Sequence, residues 1–415
     1  MPVSSRPGQF LIPRLCAIAG VLAIALAACT PQAAPPPPVA PVVVAPPEPV
    51  AGNPTNADRP EYMRLPTTPA GTVPVRVGII LPLNNSNAAT RQIAQSMLKA
   101  AQMALFDGKN PNIILISADE GATPNDAGAA ATRLLNQGAE IILGPLFAQD
   151  VSAIAPIARD RAVPVLAFST DKSVAGQGTY LLSFLPQDQV RRIISYAAQQ
   201  GRRNFAGLIP RDAGGDLAVS AFQQAVADAG GTVAGVERFA PTTTDVITPA
   251  IAISKLPADA IFIPQGGVIL RTIAPTLAAN GLDRNRTKLL GTGQWDDATL
   301  QREPQLSGAW FAAPEPNASD AFDAKYRETF GAAPSQLATL SYDAMSLVAL
   351  LSNGTPYHRF TTAALTDPNG FSGVDGIFRF LPDGTSERGL AVLEVSGNGF
   401  SVVSPAPKTF IRPGS

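Results

Sequence analysis

Cysteine and histidine are nearly missing from this 415-residue chain, which carries only Cys16, Cys29 and His358. Both cysteines precede the proline-rich tract that opens at Pro31, so no thiol is left downstream to form a disulfide in any redox compartment. One imidazole and no downstream thiol exclude a Cys/His nucleophile pair and a zinc cluster of nitrogen and sulfur ligands. A Ser-His-Asp triad would have to recruit His358 from the turn-like Pro356-Tyr357-His358-Arg359, and no Gly-x-Ser-x-Gly elbow presents a serine. Neither a Gly-x-Gly-x-x-Gly fingerprint nor a Walker A sequence occurs. Carboxylate-only chemistry is the catalytic class these absences leave open. The expectation is a protein that is not an enzyme and needs no cofactor or metal.

Charge is also scarce and balanced, with 31 Lys+Arg against 32 Asp+Glu, and no basic stripe suited to a phosphate backbone. Nucleic acid is therefore not an expected partner. Aromatics make up 6% of the chain, so most of the core must be Ala, Val, Leu and Ile.

What is present begins with an export pattern. Met1 to Arg14 holds Arg6 and Arg14 and no acid, and Leu15 to Leu26 is wholly apolar. That run has signal-peptide length and is too short to span a bilayer comfortably. It closes on Leu26-Ala27-Ala28-Cys29, whose small residues suit a signal peptidase and whose thiol can accept a lipid. The pattern resembles a bacterial lipobox, which implies residues 1–28 as signal peptide, Cys29 as the lipidation site, and a membrane anchor through that lipid. Thr30 rather than Asp follows Cys29, which in proteobacterial sorting favours the outer membrane.

Residues 29–74 contain 14 of the 40 prolines. Fixed φ angles and missing N–H donors make this a disordered, extended tether rather than helix or sheet. In polyproline form it reaches on the order of 100 Å. From Val75 the texture changes: strands such as Val75-Arg76-Val77-Gly78-Ile79-Ile80-Leu81 alternate with helical patterns such as Ala89 to Phe106. Two such series follow one another, which predicts an α/β fold of two doubly wound parallel sheets facing a cleft. Near the end, Phe371 to Phe380 alternates at period two, Asp383-Gly384 offers a turn, and Leu390 to Val395 reads as the returning strand. The expected domain spans 75–405, with one lobe at about 75–185 and 312–355, a second at about 186–311 and 356–405, and a 406–415 tail.

The order of these elements resembles the type I periplasmic binding proteins of the Leu/Ile/Val-binding kind. Carrying the resemblance are the first strand into Leu81-Pro82-Leu83, Gly144-Pro145 after the third strand, Ser341-Tyr342-Asp343-Ala344 opening a helix, and the Phe-x-Gly-x-x-Gly-x-Phe-x-Phe tail. Gly144-Pro145-Leu146 with a lipobox and a long tether also resembles the penicillin-binding-protein activator lipoproteins. That implies a cell-envelope lipoprotein whose partner is a class A penicillin-binding protein in peptidoglycan synthesis. The alternative is a lipid-anchored solute-binding protein of an ABC importer, with an amino acid or related small-molecule ligand in the cleft.

In such folds ligands meet loops at the C-terminal strand ends. The candidates are Asn85 and Ser86 after the first strand, Phe147 after the third, and Ser169 and Thr170 after the fourth. The opposite lobe offers Arg211, Gln265, Gln294 and Trp295, and Tyr342 lies at the later helix. An amino-acid binder needs hydroxyls and N–H groups for a carboxylate and an acid for the ammonium. The resemblance places Phe147-Ala148-Gln149 where amino-acid binders usually hold a serine, and Gln294-Trp295 ahead of Asp296 and Asp297 at the ammonium position. Both features favour a degenerate cleft or a different ligand.

Overall fold

A computed structural model describes residues 62–65, 73–297, 299–397 and 399–411. The expected signal segment, Cys29 and nearly all of the tether lie outside the described residues.

The first lobe is a six-stranded sheet in the order β1-β3-β2-β4-β5-β6, comprising β1 (Tyr62–Arg64), β2 (Val75–Leu81), β3 (Ile113–Asp119), β4 (Ile141–Leu143), β5 (Val165–Ala167) and β6 (Thr179–Leu181). From β3 to β6 every pair is parallel. Helices α1 (Ala88–Asp107), α2 (Pro124–Asn136) and α3 (Ala148–Arg159) supply the crossovers. Their starts are written in the sequence: Thr123 and Asp126 close a reciprocal capping box on α2, with Pro124 in its first turn, a combination that contributes about 1 kcal/mol. Strand β2 turns Val75, Val77, Ile79 and Leu81 to one face and Ile80 to the other. Both faces are thus covered, as near-continuous apolar strands require.

Strand β1 corrects the expectation for the tether. Tyr62–Arg64 pairs antiparallel with β3, with Met63 opposite Leu115 and packed on the core. An open sheet edge offers unpaired N–H and C=O groups, and this Tyr-Met-Arg segment has no proline to refuse them.

The second lobe repeats the plan. Helix α4 (Pro186–Gln199) leads to β7 (Asn204–Pro210), α5 (Ala213–Asp228), β8 (Thr232–Phe239), α6 (Ile247–Ile253), β9 (Ala260–Phe262), α7 (Gly267–Ala279), β10 (Lys288–Gly291) and β11 (Trp310–Ala313). The parallel order β8-β7-β9-β10-β11 has the same switch of direction as the first sheet, between its first and third strands. Apolar clusters cover both of its faces.

The chain then returns. Helices α8 (Asp320–Phe330) and α9 (Ala338–Leu351) pack on α1, joined by Ala100, Met103, Phe322 and Tyr326. Helix α10 (Thr362–Leu365) and a small antiparallel sheet of β12 (Phe371–Gly373), β13 (Gly376–Phe380) and β14 (Ser386–Arg388) follow. Phe360, Leu365, Phe378 and Phe380 join the first-lobe core, so the stretch expected in the second lobe from 356 onward lies with the first until β14. Only β15 (Ala391–Ser396) and β16 (Gly399–Ser404) enter the second sheet, β15 antiparallel to β11. The strand read as returning along the 371–380 hairpin therefore pairs elsewhere. Period-two alternation fixes a strand's faces but not its partner. The helix expected to open at Ser341 starts earlier, at Ala338.

Three described segments pass between the lobes: 182–185, 314–319 and 389–390. Arg388 pins two of them. Its guanidinium lies 4.7 Å from the Phe184 ring centroid and 5.4 Å from that of Phe378, and its Nε donates to Ser183 O at 3.2 Å.

Candidate functional site

Between the lobes lies a cavity of about 1230 Å³. Its second-lobe wall is made of loops at C-terminal strand ends: Pro210 and the start of α5 after β7, Gln265 after β9, Thr292 to Gln294 after β10, and Pro314 to Ser319 after β11. This is where a doubly wound sheet places its ligand crevice. Two glycines let that wall close up. A Cβ on Gly215 would stand 1.8 Å from Pro210 O, and one on Gly291 would stand 2.2 Å from the Trp295 ring. The first-lobe wall comes from Thr170, from Asp323 on α8, from Pro334 to Leu337 and Thr339 at the start of α9, and from Asp375 in the β12–β13 turn.

Of the residues proposed from sequence, Thr170, Gln265 and Gln294 border the cavity. The others do not, for identifiable reasons. Asn85 and Ser86 present their backbone carbonyls to Arg91 Nη1 at 2.6 and 3.0 Å. Phe147, the residue before α3, is exposed but does not line the cavity. Ser169 is buried, with its Oγ accepting from Asp171 N at 3.1 Å, a turn-forming contact. The Arg211 guanidinium donates to Arg238 O at 3.3 Å. Trp295 is fully buried; its Nε1 donates to Gln265 O at 3.0 Å, and its ring packs against Phe311. It is therefore a core residue that shapes the Gln265 loop and does not line the cavity. Tyr342 donates its hydroxyl to Asp107 Oδ2 at 2.8 Å and packs edge-on against Phe322. Burial first, and that carboxylate second, push its phenol above the ordinary range.

Two backbone donors on the second-lobe wall are already engaged. Gly215 N, in the first turn of α5, donates to Asp212 Oδ1 at 2.7 Å, and Gly293 N donates to Gln189 Oε1 at 2.7 Å. Asp212, Asp296, Glu315, Asp323 and Asp375 border the cavity, and no lysine or arginine among the described residues does. Burial raises the Asp296 carboxyl, and the Asp297 charge adds to this. Burial likewise raises Asp375, opposed by Thr339 and by the Arg388 charge. Among the described residues no three His, Cys, Asp or Glu side chains are grouped to hold a metal ion, and no helix is long and apolar enough to cross a membrane.

Sequence reasoning missed Gln189, Asp323, Ser335, Thr339 and Asp375. Asp375 sits in Gly373-Val374-Asp375-Gly376, where an acid between glycines reads as turn chemistry. Ser335 and Thr339 lie far along the chain from every strand end that sequence could point to.

The model of the family described as periplasmic binding protein matches residues 74–399. A branched-chain amino acid ABC transporter periplasmic ligand-binding protein from Burkholderia xenovorans superposes with a TM-score of 0.65, at 18% identity, over 80% of this chain and 96% of that one. Penicillin-binding protein activator LpoA of Pectobacterium parmentieri is 31% identical over 109 residues, 26% of this chain and 16% of the activator. An uncharacterized protein of Rickettsia prowazekii is 24% identical over 137 residues, 33% of this chain and 36% of that protein. The matches thus span only about a third and a sixth of these two relatives.

Proposed function

The chain belongs to the periplasmic binding protein family, and from that premise we propose that it acts in the cell envelope as an activator of a class A penicillin-binding protein. The observation that carries this reading is the chemistry of the cleft. On the second-lobe wall the backbone N–H groups of Gly215 and Gly293 are occupied by Asp212 and Gln189, and no lysine or arginine among the described residues lines the cavity. An amino acid entering it would bring its carboxylate toward five acids without a counter-charge. The local likeness to LpoA supports a protein partner of the kind that name gives. The lipobox ending at Cys29 and the proline-rich tract support lipid anchorage at the outer membrane, with reach across the periplasm.

The test is chemical cross-linking in membranes carrying the acylated, full-length protein. A class A penicillin-binding protein recovered in the cross-linked product supports the reading, and its repeated absence rejects it. The second reading, a lipid-anchored solute-binding protein of an importer, is favoured by the size of the cavity, about 1230 Å³, which suits a small molecule. It predicts thermal stabilisation by amino acids or small amides, in proportion to occupancy.

A further inference from the structure

The first-lobe wall of the cleft has polar chemistry that the activator reading does not use. Asp375 borders the cavity and is only 9% exposed, and its buried Oδ2 takes part in no hydrogen bond. Ser335, on the same wall, has a buried Oγ that is likewise unpartnered, while its backbone N–H is spent on Ser96 Oγ at 2.8 Å. Thr339, whose side chain hydrogen-bonds that of Asp375, also borders the cavity. Buried polar atoms are ordinarily satisfied, so a bare carboxylate oxygen and a bare hydroxyl on one wall call for a missing partner.

The protein does not supply that partner. The Arg388 charge acts on Asp375, but neither of its terminal nitrogens makes a hydrogen bond, and its Nη2 faces Asp343 Oδ2 at 3.8 Å. Its place between Phe184 and Phe378 holds it in the hinge. A metal ion is not a match either, because no three His, Cys, Asp or Glu side chains among the described residues are grouped to hold one. An anion would meet carboxylates from both walls and no fixed positive charge. What fits is an N–H-rich organic cation: a carboxylate takes a charge-assisted hydrogen bond from it, and hydroxyl oxygens accept its remaining protons.

We propose that Asp375, Ser335 and Thr339 form a binding site for a primary ammonium or guanidinium group on a small molecule of no net negative charge. The site goes beyond the activator reading and does not depend on it, since it requires no second protein.

Calorimetric titration of the full-length protein in detergent tests it. Cadaverine and agmatine serve as ammonium and guanidinium probes, with 1,5-pentanediol and glutarate as neutral and anionic controls. One or both cations should bind saturably, the controls should not, and whichever cation binds identifies the head group. Asp375→Asn should weaken that binding about 10- to 100-fold, and Ser335→Ala about 3- to 10-fold. Ser335→Ala alone decides the matter if the first variant does not fold. No saturable binding of either cation at about 10 mM, equal binding of a control, or wild-type affinity in the folded variants would overturn the proposal. No synthase is present in this experiment, so its failure is distinct from failure of the activator reading.

Discussion

Glu140 and Arg359 form an ion pair shut away from water, their side chains 3% and 4% exposed. Arg359 Nη1 donates to both carboxylate oxygens, at 2.5 and 2.7 Å, and Tyr357 N donates to Oε2 at 2.8 Å. The pair ties the 357–360 segment, whose Phe360 enters the first-lobe core, to the start of β4. Glu140→Gln leaves a buried guanidinium without a counter-charge, and Arg359→Met leaves a buried carboxylate. Each should cost about 3–5 kcal/mol. The unfolding entropy of a body this large is about 0.7 kcal/mol/K, so each variant should lose about 4–7 °C in Tm. The double variant should recover to within about 1.5 kcal/mol of wild type, because a buried pair is worth little more than an apolar replacement of its shape. Calorimetry on the four proteins measures all of this. Strictly additive losses, or single losses under about 1 kcal/mol, would refute the reasoning.

Glu120, buried beside Asp150, has its carboxyl pushed up to about 8, by desolvation first and by the Asp150 charge second. The folded state thus keeps a proton that the unfolded state releases from about pH 4.5 upward, so this group lowers stability as pH rises from there to about 8. Glu120→Gln should flatten the fall in Tm across that window; an unchanged slope in the scan rejects the assignment. Gly291→Ala drives a methyl group into the Trp295 ring, which should cost about 1–3 kcal/mol and shift tryptophan emission to the red; unchanged emission and Tm would contradict the packing. Cys29→Ser should abolish acylation and release the protein from the membrane fraction, as judged by intact mass and fractionation; a membrane-bound, unmodified variant would rule out the anchor.

The doubly wound order was legible because most strands from Val75 to Ala313 are short apolar runs, and several are followed by a helix whose start local chemistry marks, as Thr123 does for α2 and Asp212 for α5. Local chemistry writes both signals. The second crossing was harder to see. Nothing in Phe371 to Val395 marks which of two cores each strand joins, because that choice is made by Phe378, Phe380 and Leu393 meeting partners far away in sequence. The site was half legible for the same reason. Strand-end logic found Thr170, Gln265 and Gln294, whereas Ser335, Thr339 and Asp375 reach the cleft from helix and turn segments laid across it by the return of the chain. Trp295 illustrates the reverse error: a strand-end position is no guide when Gly291, four residues earlier, leaves room for the ring to fold inward.

Whether this chain activates a synthase is decided by the rate at which a purified class A penicillin-binding protein from the same cells polymerises glycan strands, with and without the full-length protein. A saturable acceleration that reaches its plateau near an equimolar ratio is expected. An unchanged rate across a large molar excess would contradict it.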